Sequence, residues 1–367
     1  MKLAKVLASE IVVCAGSGGV GKTTVSAAIA LEASLRGRST IVVTIDPARR
    51  LANSLGLEQL SNTPKRIPKE KFEAAGLPPC SLDAMMLDTK TTFDELVIRY
   101  ARSEQKARKI INNRFYQAIS GALSGTHEYM AMEKLYELSM EGNYDLIVID
   151  TPPTRNALDF LDAPKRMTSF LEGKLLKWFL LPAIGGGKGL FKIANFAAVS
   201  FLKVVQKIVG AQVLSDTAEF FANFEGMYEG FKQRAQAVYE LLRKPTTSFV
   251  VVTAPTNESV EEALFFAKTL RSYELPFGGL IVNRVLPDPD LPAKVAAKTE
   301  AAKAVLGLAR RFEQIALKER RSLERLESEV EPELWVQIPY QTEEVVDLKA
   351  LKNIAELIFG SAGKRPL

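Results

Sequence analysis

Residues 16–24 read Gly16-Ser17-Gly18-Gly19-Val20-Gly21-Lys22-Thr23-Thr24, and the stretch from Gly16 to Thr23 fits the pattern G-x-x-x-x-G-K-[ST]. It follows the apolar run "EIVVCA" and opens the helical pattern "TTVSAAIALEASLRG", the context in which such a loop grips phosphate. Each letter has a mechanical reason. The glycines let backbone N–H groups wrap a polyphosphate without side-chain clashes, and the following helix N-terminus adds partial positive charge. Lys22 is placed to neutralise β and γ oxygens, and the Thr23 hydroxyl to coordinate magnesium. Two carboxylates complete the set. Asp150 ends the apolar run "DLIVID", the position from which a carboxylate holds a magnesium shell. Asp46 ends "STIVVTID", where an acceptor can orient or deprotonate an attacking water, and it is counted with Thr23 and Asp150 around the magnesium. Such groups together point to transfer of a terminal phosphoryl group to water.

These groups must sit at the ends of strands. Seven short runs rich in β-branched residues recur: "EIVVCA", "STIVVTID", "DAMMLD", "YDLIVID", "TSFVVVTAP", "GGLIVNR" and "LWVQIP". They are nearly continuous in apolar residues, as strands covered on both faces should be, and helical stretches separate them. The fold expected is α/β, a doubly wound, mainly parallel sheet of the P-loop NTPase type with an inserted α-helical subdomain. Ligands in such sheets bind beyond the carboxyl ends of the strands, which is where the motifs fall. The core is expected over residues 1–90, 143–162 and 245–367, and the helical subdomain over residues 91–142 and 163–244. The charged stretch from residue 297 to 330, with interspersed signs, predicts a solvated outer helix.

Composition narrows the chemistry further. A length of 367 residues with 47% hydrophobic content allows a substantial core. Forty-eight basic against 43 acidic residues give a formal charge of +5, too little over so large a surface to indicate nucleic acid or an anionic membrane. The two cysteines, Cys14 and Cys80, form no CxxC pair, so neither a disulfide framework nor a thiolate metal site is expected, and the reducing cytoplasm is the natural compartment. The single histidine, His127, excludes a site built on paired histidines. No apolar window has the length of about 18 residues that a membrane-spanning helix needs. The N-terminus reads as the first strand, not as a signal sequence.

The set "GSGGVGKTT", "DPARR", "DTPPT", "VTAPTNESVEEALFFAKTL", "GGLIVNRVLP" and "IPYQTEEVVDLKAL" closely resembles the ArsA/Get group of ATPases, a branch of the deviant P-loop class that also holds the ParA and MinD proteins. The resemblance runs from about residue 9 to residue 359 and is strongest around the nucleotide. It implies ATP and Mg2+ as cofactors and a homodimer as the working unit. Residues 46–50 and 150–156 then correspond to the two switch segments. Asn283, followed by Arg284, is implied to contact adenine, and the loop beginning at Pro339 and Tyr340 to close over the base. Relatives usually carry a lysine where this chain has Ser17, and that lysine reaches the partner's nucleotide across the dimer. Either ATP is hydrolysed slowly or another cation substitutes; Arg49 and Arg50, which follow Asp46, and Arg155 are the candidates, with Arg155 or Arg49 preferred.

Residues 190–210 carry a wide apolar face with a narrow polar seam, which places Phe191, Phe196, Val199 and Phe201 on the apolar side. Trp178 and Phe179 precede this segment, and Phe220, Phe224 and Met227 follow it at steps of three or four. In the tail-anchored-protein targeting branch of the resembled group such helices form a groove for a hydrophobic client helix. The resemblance therefore implies an ATP-dependent clamp on a membrane-protein segment, with residues 165–231 lining its groove. Two alternatives are the ATPase subunit of an arsenite or anion efflux pump, which needs clustered cysteines, and a ParA- or MinD-like switch, which would lack the large helical insertion. Partners are accordingly a second copy and either a hydrophobic helix or a membrane transporter, with no nucleic acid and no integral membrane segment.

Overall fold

The computed structural model describes residues 3–46, 49–101, 103–120, 126–152, 212, 216–217, 219–220, 223, 227–287 and 299–360. The seven apolar runs all form strands: β1 (Ile11–Ala15), β2 (Thr40–Thr44), β4 (Leu82–Met86), β5 (Leu146–Asp150), β6 (Thr247–Thr253), β7 (Phe277–Val285) and β8 (Trp335–Pro339). A further two-residue strand, β3 (Lys65–Arg66), was not anticipated, because two exposed charged residues carry no apolar period. It pairs antiparallel with β4, and Arg66 forms an ion pair with Asp83 there. Exposed charge suits a sheet edge, where bare strands invite unwanted pairing.

The described strands form one sheet in the order β3-β4-β2-β5-β1-β6-β7-β8, parallel throughout except at β3. Burial of every residue in β1, β2, β5 and β6 accounts for their continuous apolar pattern. Strand order reverses around β1, which lies between β5 and β6. Such a reversal leaves a crevice beyond the strand ends. Register makes that crevice level: Asp150 of β5 stands opposite Cys14 of β1 and Thr44 of β2. The phosphate loop, the Asp46 turn and Asp150 therefore emerge together.

The helix Lys22–Leu35 lies against β2 and β5 on one side and the C-terminal helix Leu348–Phe359 on the other. It is buried at 11 of its 14 positions, and alanines at 27, 28, 30 and 33 permit that close approach. Its one buried acid, Glu32, receives Arg36 and Lys352, each at 2.8 Å. This satisfies a carboxylate that would otherwise destabilise the helix–helix contact.

The outer helix expected from the charged stretch runs from Glu300 to Glu329, capped by Thr299, whose hydroxyl accepts the Ala302 N–H. Ala316, Ser322, Leu323 and Leu326 bury its C-terminal half, while Val305, Leu308, Phe312 and Ile315 are exposed. Glu319 ties it to the turn after β7 by accepting the Leu286 N–H at 2.8 Å.

The chain divides into two compact units, the first comprising residues 1–87, 135–158 and 240–367, the second residues 88–134 and 159–239. In the second, Phe93, Tyr100, Tyr116, Tyr129 and Phe231 form an aromatic cluster with ring centroids 5.3 to 6.4 Å apart. Beside it the buried Glu133 accepts Tyr129 Oη and Arg234 Nε, each at 2.8 Å. No helix among the described residues is long and apolar enough to cross a membrane.

Candidate active site

At the end of β1 the backbone turns sharply. Gly16 adopts φ +153°, and a Cβ there would lie 2.0 Å from the carbonyl oxygen of Val252 in β6. Gly21 adopts φ +94°, and its Cβ would lie 2.2 Å from Asn283 Nδ2. Both positions exclude a side chain, the first against rigid backbone. Replacing Gly16 with alanine is expected to destabilise the protein by about 2 to 3 kcal/mol, read as a lower denaturant midpoint with unchanged slope. An unchanged midpoint would show that the turn can move aside.

Lys22 begins the helix and folds back over the loop: its Nζ donates to the carbonyls of Gly16 at 2.9 Å and Ser17 at 2.8 Å. Only 6% of it is exposed. Burial lowers its pKa, against which Asp150 and Asp46 favour the charged form. Val20 is buried within the loop, Thr24 is half-buried behind it, and Gly18 and Gly19 are exposed at its tip. The tip and the start of a 14-residue helix together present unpaired helix-end N–H groups to whatever lies above them.

Asp150 is 1% exposed and holds the carboxylates' end of this arrangement. Its Oδ2 accepts Thr23 Oγ1 at 2.7 Å and Thr44 Oγ1 at 2.8 Å. Its Oδ1 is buried and without a hydrogen-bond partner among the described residues. Burial raises the Asp150 pKa to about 6, opposed by the two hydroxyls and Lys22. Asp46 lies beyond β2, its N–H donating to Thr44 Oγ1 at 3.2 Å and its carboxylate 3.6 Å from Arg50. Arg49 is exposed and precedes the short helix Arg50–Ser54.

Asn283 reaches the phosphate loop from β7. Its Nδ2 donates to Val20 O at 2.9 Å, and its Oδ1 accepts the N–H of Arg284, which adopts φ +64°. Pro339 closes β8, and the exposed Tyr340 donates its N–H to Val285 O at 2.8 Å. Sequence reasoning missed Thr44 because a threonine inside a β-branched run reads as strand former only. It also missed the bond from Asn283 to Val20, which joins positions 263 residues apart. Arg155, Trp178, Phe179, Phe191, Phe196, Val199, Phe201 and Phe224 lie outside the described residues. Phe220 and Met227 are each 1% exposed, with Phe220 against the rings of Phe115 and Tyr116.

Strand, glycine loop, helix and strand-end carboxylate define a P-loop nucleoside triphosphatase. More narrowly, a family model described as "Anion-transporting ATPase" matches residues 9–360, and the chain belongs to this ArsA family of ATPases. Among its relatives is "Putative arsenical pump-driving ATPase 1" of Aquifex aeolicus, 26% identical over 96% of this chain and 79% of the relative. Another is "ATPase get3" of Schizosaccharomyces japonicus, 26% identical over 94% of this chain and 90% of the relative. "ATPase GET3" of Malassezia globosa is 25% identical over 94% and 89%. The protein is accordingly an ATP-hydrolysing enzyme.

Proposed function

We propose that this ATPase is a magnesium-dependent homodimeric clamp of the cytoplasm that binds and releases a hydrophobic helix of a membrane protein. The observation that carries the catalytic half is the convergence of Lys22, Thr23, Asp46 and Asp150 at one sheet edge. The residues suit Mg2+. Among the described residues Asp150 Oδ1 is a buried acceptor without a hydrogen-bond partner, and the Thr23 hydroxyl lies beside the same carboxylate. A magnesium site of this class takes one or two carboxylates and fills its shell with water and phosphate oxygens, so no larger acidic cluster is required. When bound there, the ion offsets negative charge on the β and γ phosphates.

The chain's own groups supply the rest. Backbone N–H groups of residues 16–24 orient the triphosphate, and Lys22 exchanges loop carbonyls for phosphate oxygens. Asp46 orients the attacking water by accepting its hydrogen bond. Asn283 and Arg284, with Pro339 and Tyr340, border the base. Two copies face each other across the nucleotide, and ATP biases their equilibrium only by binding one arrangement more tightly than the other. Without a CxxC pair in the sequence, that dimer rests on non-covalent contacts around the nucleotide and not on shared zinc.

The relatives named GET3 and the broad apolar arc of residues 190–210 support the clamp reading. In the double variant Phe196→Asp, Val199→Asp, affinity for an apolar helical peptide should fall by about 10-fold or more while ATP turnover is retained. Unchanged peptide affinity would remove the groove from this reading. The alternative, driving an arsenite or anion pump, is supported by the relative named for arsenical pumping. Against it, the two cysteines stand 66 positions apart at Cys14 and Cys80, and burial holds the Cys14 thiol up at about 12, far from a thiolate ligand.

A further inference from the structure

We infer that Thr44 is a positioning residue, tying the Asp46 turn to the Asp150 carboxylate so that the water-orienting and metal-holding groups keep one spacing. Thr44 is the last residue of β2 and 1% exposed. A threonine hydroxyl offers one proton and two lone pairs. The Asp46 N–H donates to Oγ1 at 3.2 Å, which uses a lone pair, and the hydroxyl proton goes to Asp150 Oδ2 at 2.8 Å. The direction is fixed, because an amide can only donate and an ionised carboxylate can only accept. The result is a continuous relay from the backbone of one switch segment to the side chain of the other. In a buried setting each bond polarises the next.

Thr23 shares the same carboxylate oxygen at 2.7 Å. It belongs to the phosphate loop, however, and its hydroxyl also serves the bound magnesium under the reading above. Thr44 belongs to the sheet and carries no second task. Its backbone is anchored on both sides: Leu87 N–H donates to its carbonyl at 2.8 Å, and Ile45 N–H donates to Asp150 O at 3.3 Å. The hydroxyl is thus a fixed point from which Asp46 and Asp150 are both set. Valine in its place keeps the branched shape but leaves the Asp46 N–H without its acceptor and Asp150 Oδ2 short of one donor.

The inference rests on the role given to Asp46, and the test separates the two. In nucleotide-free Thr44→Val, the amide of Asp46 should exchange hydrogen about 10-fold faster than in the parent. The same variant should lose kcat by about 10-fold or more with KM for ATP changed by less than about threefold. Thr44→Ser, which keeps the hydroxyl, should restore both. If the valine variant does not fold, Thr44→Ala takes its place in each measurement. Parental exchange in the variant lacking the hydroxyl overturns the tether, as does a serine variant impaired as badly as valine. Parental kcat in Thr44→Val beside a crippled Asp46→Asn overturns the positioning role alone; parental kcat in both removes the Asp46 reading as well.

Discussion

Replacing Asp46 with asparagine is expected to lower kcat for ATP hydrolysis by about 100-fold or more, with KM for ATP changed by less than about threefold. Asparagine matches aspartate in shape and keeps the backbone N–H that donates to Thr44. What it loses is the negative acceptor. Water held by a carboxylate is both aimed and made more nucleophilic, and an amide oxygen does the first weakly and the second hardly at all. Binding should survive, since ATP contacts assigned to residues 16–24 are untouched. The split between kcat and KM is what distinguishes a role in the chemical step from a role in holding substrate. Asp46 also faces Arg50 at 3.6 Å, so the variant releases a cation as well as removing an anion. Arg50 is 63% exposed, and a surface pair of that kind contributes little to stability. A denaturation midpoint near the parent's would therefore show that the enzyme was intact, and parental kcat in that intact enzyme would remove Asp46 from the mechanism.

The sheet was legible because burial on both faces forces a sequence signature. Ile11–Ala15 and Thr247–Thr253 have no polar face to alternate with, and their β-branched residues stand out against the helical stretches between them. The glycine loop was legible for a different reason. Gly16 and Gly21 tolerate no Cβ, so their spacing is imposed by backbone geometry that any such loop must share. What could not be read was whatever depends on register. Thr44 in "STIVVTID" looks like its valine neighbours until β2 is laid beside β5, when it falls opposite Asp150 and its hydroxyl becomes a donor in the site. Asn283 reads as the end of a strand, and the hydrogen bond its side-chain Nδ2 donates to Val20 O exists only because β7 is brought two strands from β1. Glu319 is a similar case. One acid among many on a charged helix, it is singled out only by the Leu286 N–H it receives. Strand β3 escaped because two charged residues cannot form a pattern.

Arginine at position 155 or 49 is expected to supply the positive charge that Ser17 does not, so that Arg155→Ala or Arg49→Ala lowers kcat by about 1000-fold, the scale of a cation supplied to a phosphoryl-transfer transition state. The argument starts from the loop. The backbone carbonyl of Ser17 receives Lys22 Nζ at 2.8 Å, and Gly16 receives it at 2.9 Å, and in the proposed mechanism this one lysine turns from those carbonyls to the phosphates. Lys22 has one charge to give, and a nucleotide whose γ-phosphoryl group is leaving spreads its negative charge over three oxygens. Serine at 17 adds a hydroxyl, a dipole where the resemblance implies a full charge. Position 49 is exposed at the turn that carries Asp46, and Arg155 follows Asp150 by five residues in the sequence, so both fall in the segments that the resemblance equates with the two switches. Arginine suits this task because its planar fork can pair two phosphate oxygens at once. Arg50 is a poorer choice, since its guanidinium faces the Asp46 carboxylate at 3.6 Å. If the missing charge is the whole defect, Ser17→Lys in the crippled arginine variant should recover turnover, whereas a lysine lacking a partner copy to reach would recover nothing. Unchanged kcat in both alanine variants would mean that this chain runs the reaction without a replacement for the lysine. Turnover in the parent should then rise by a comparable factor on Ser17→Lys alone.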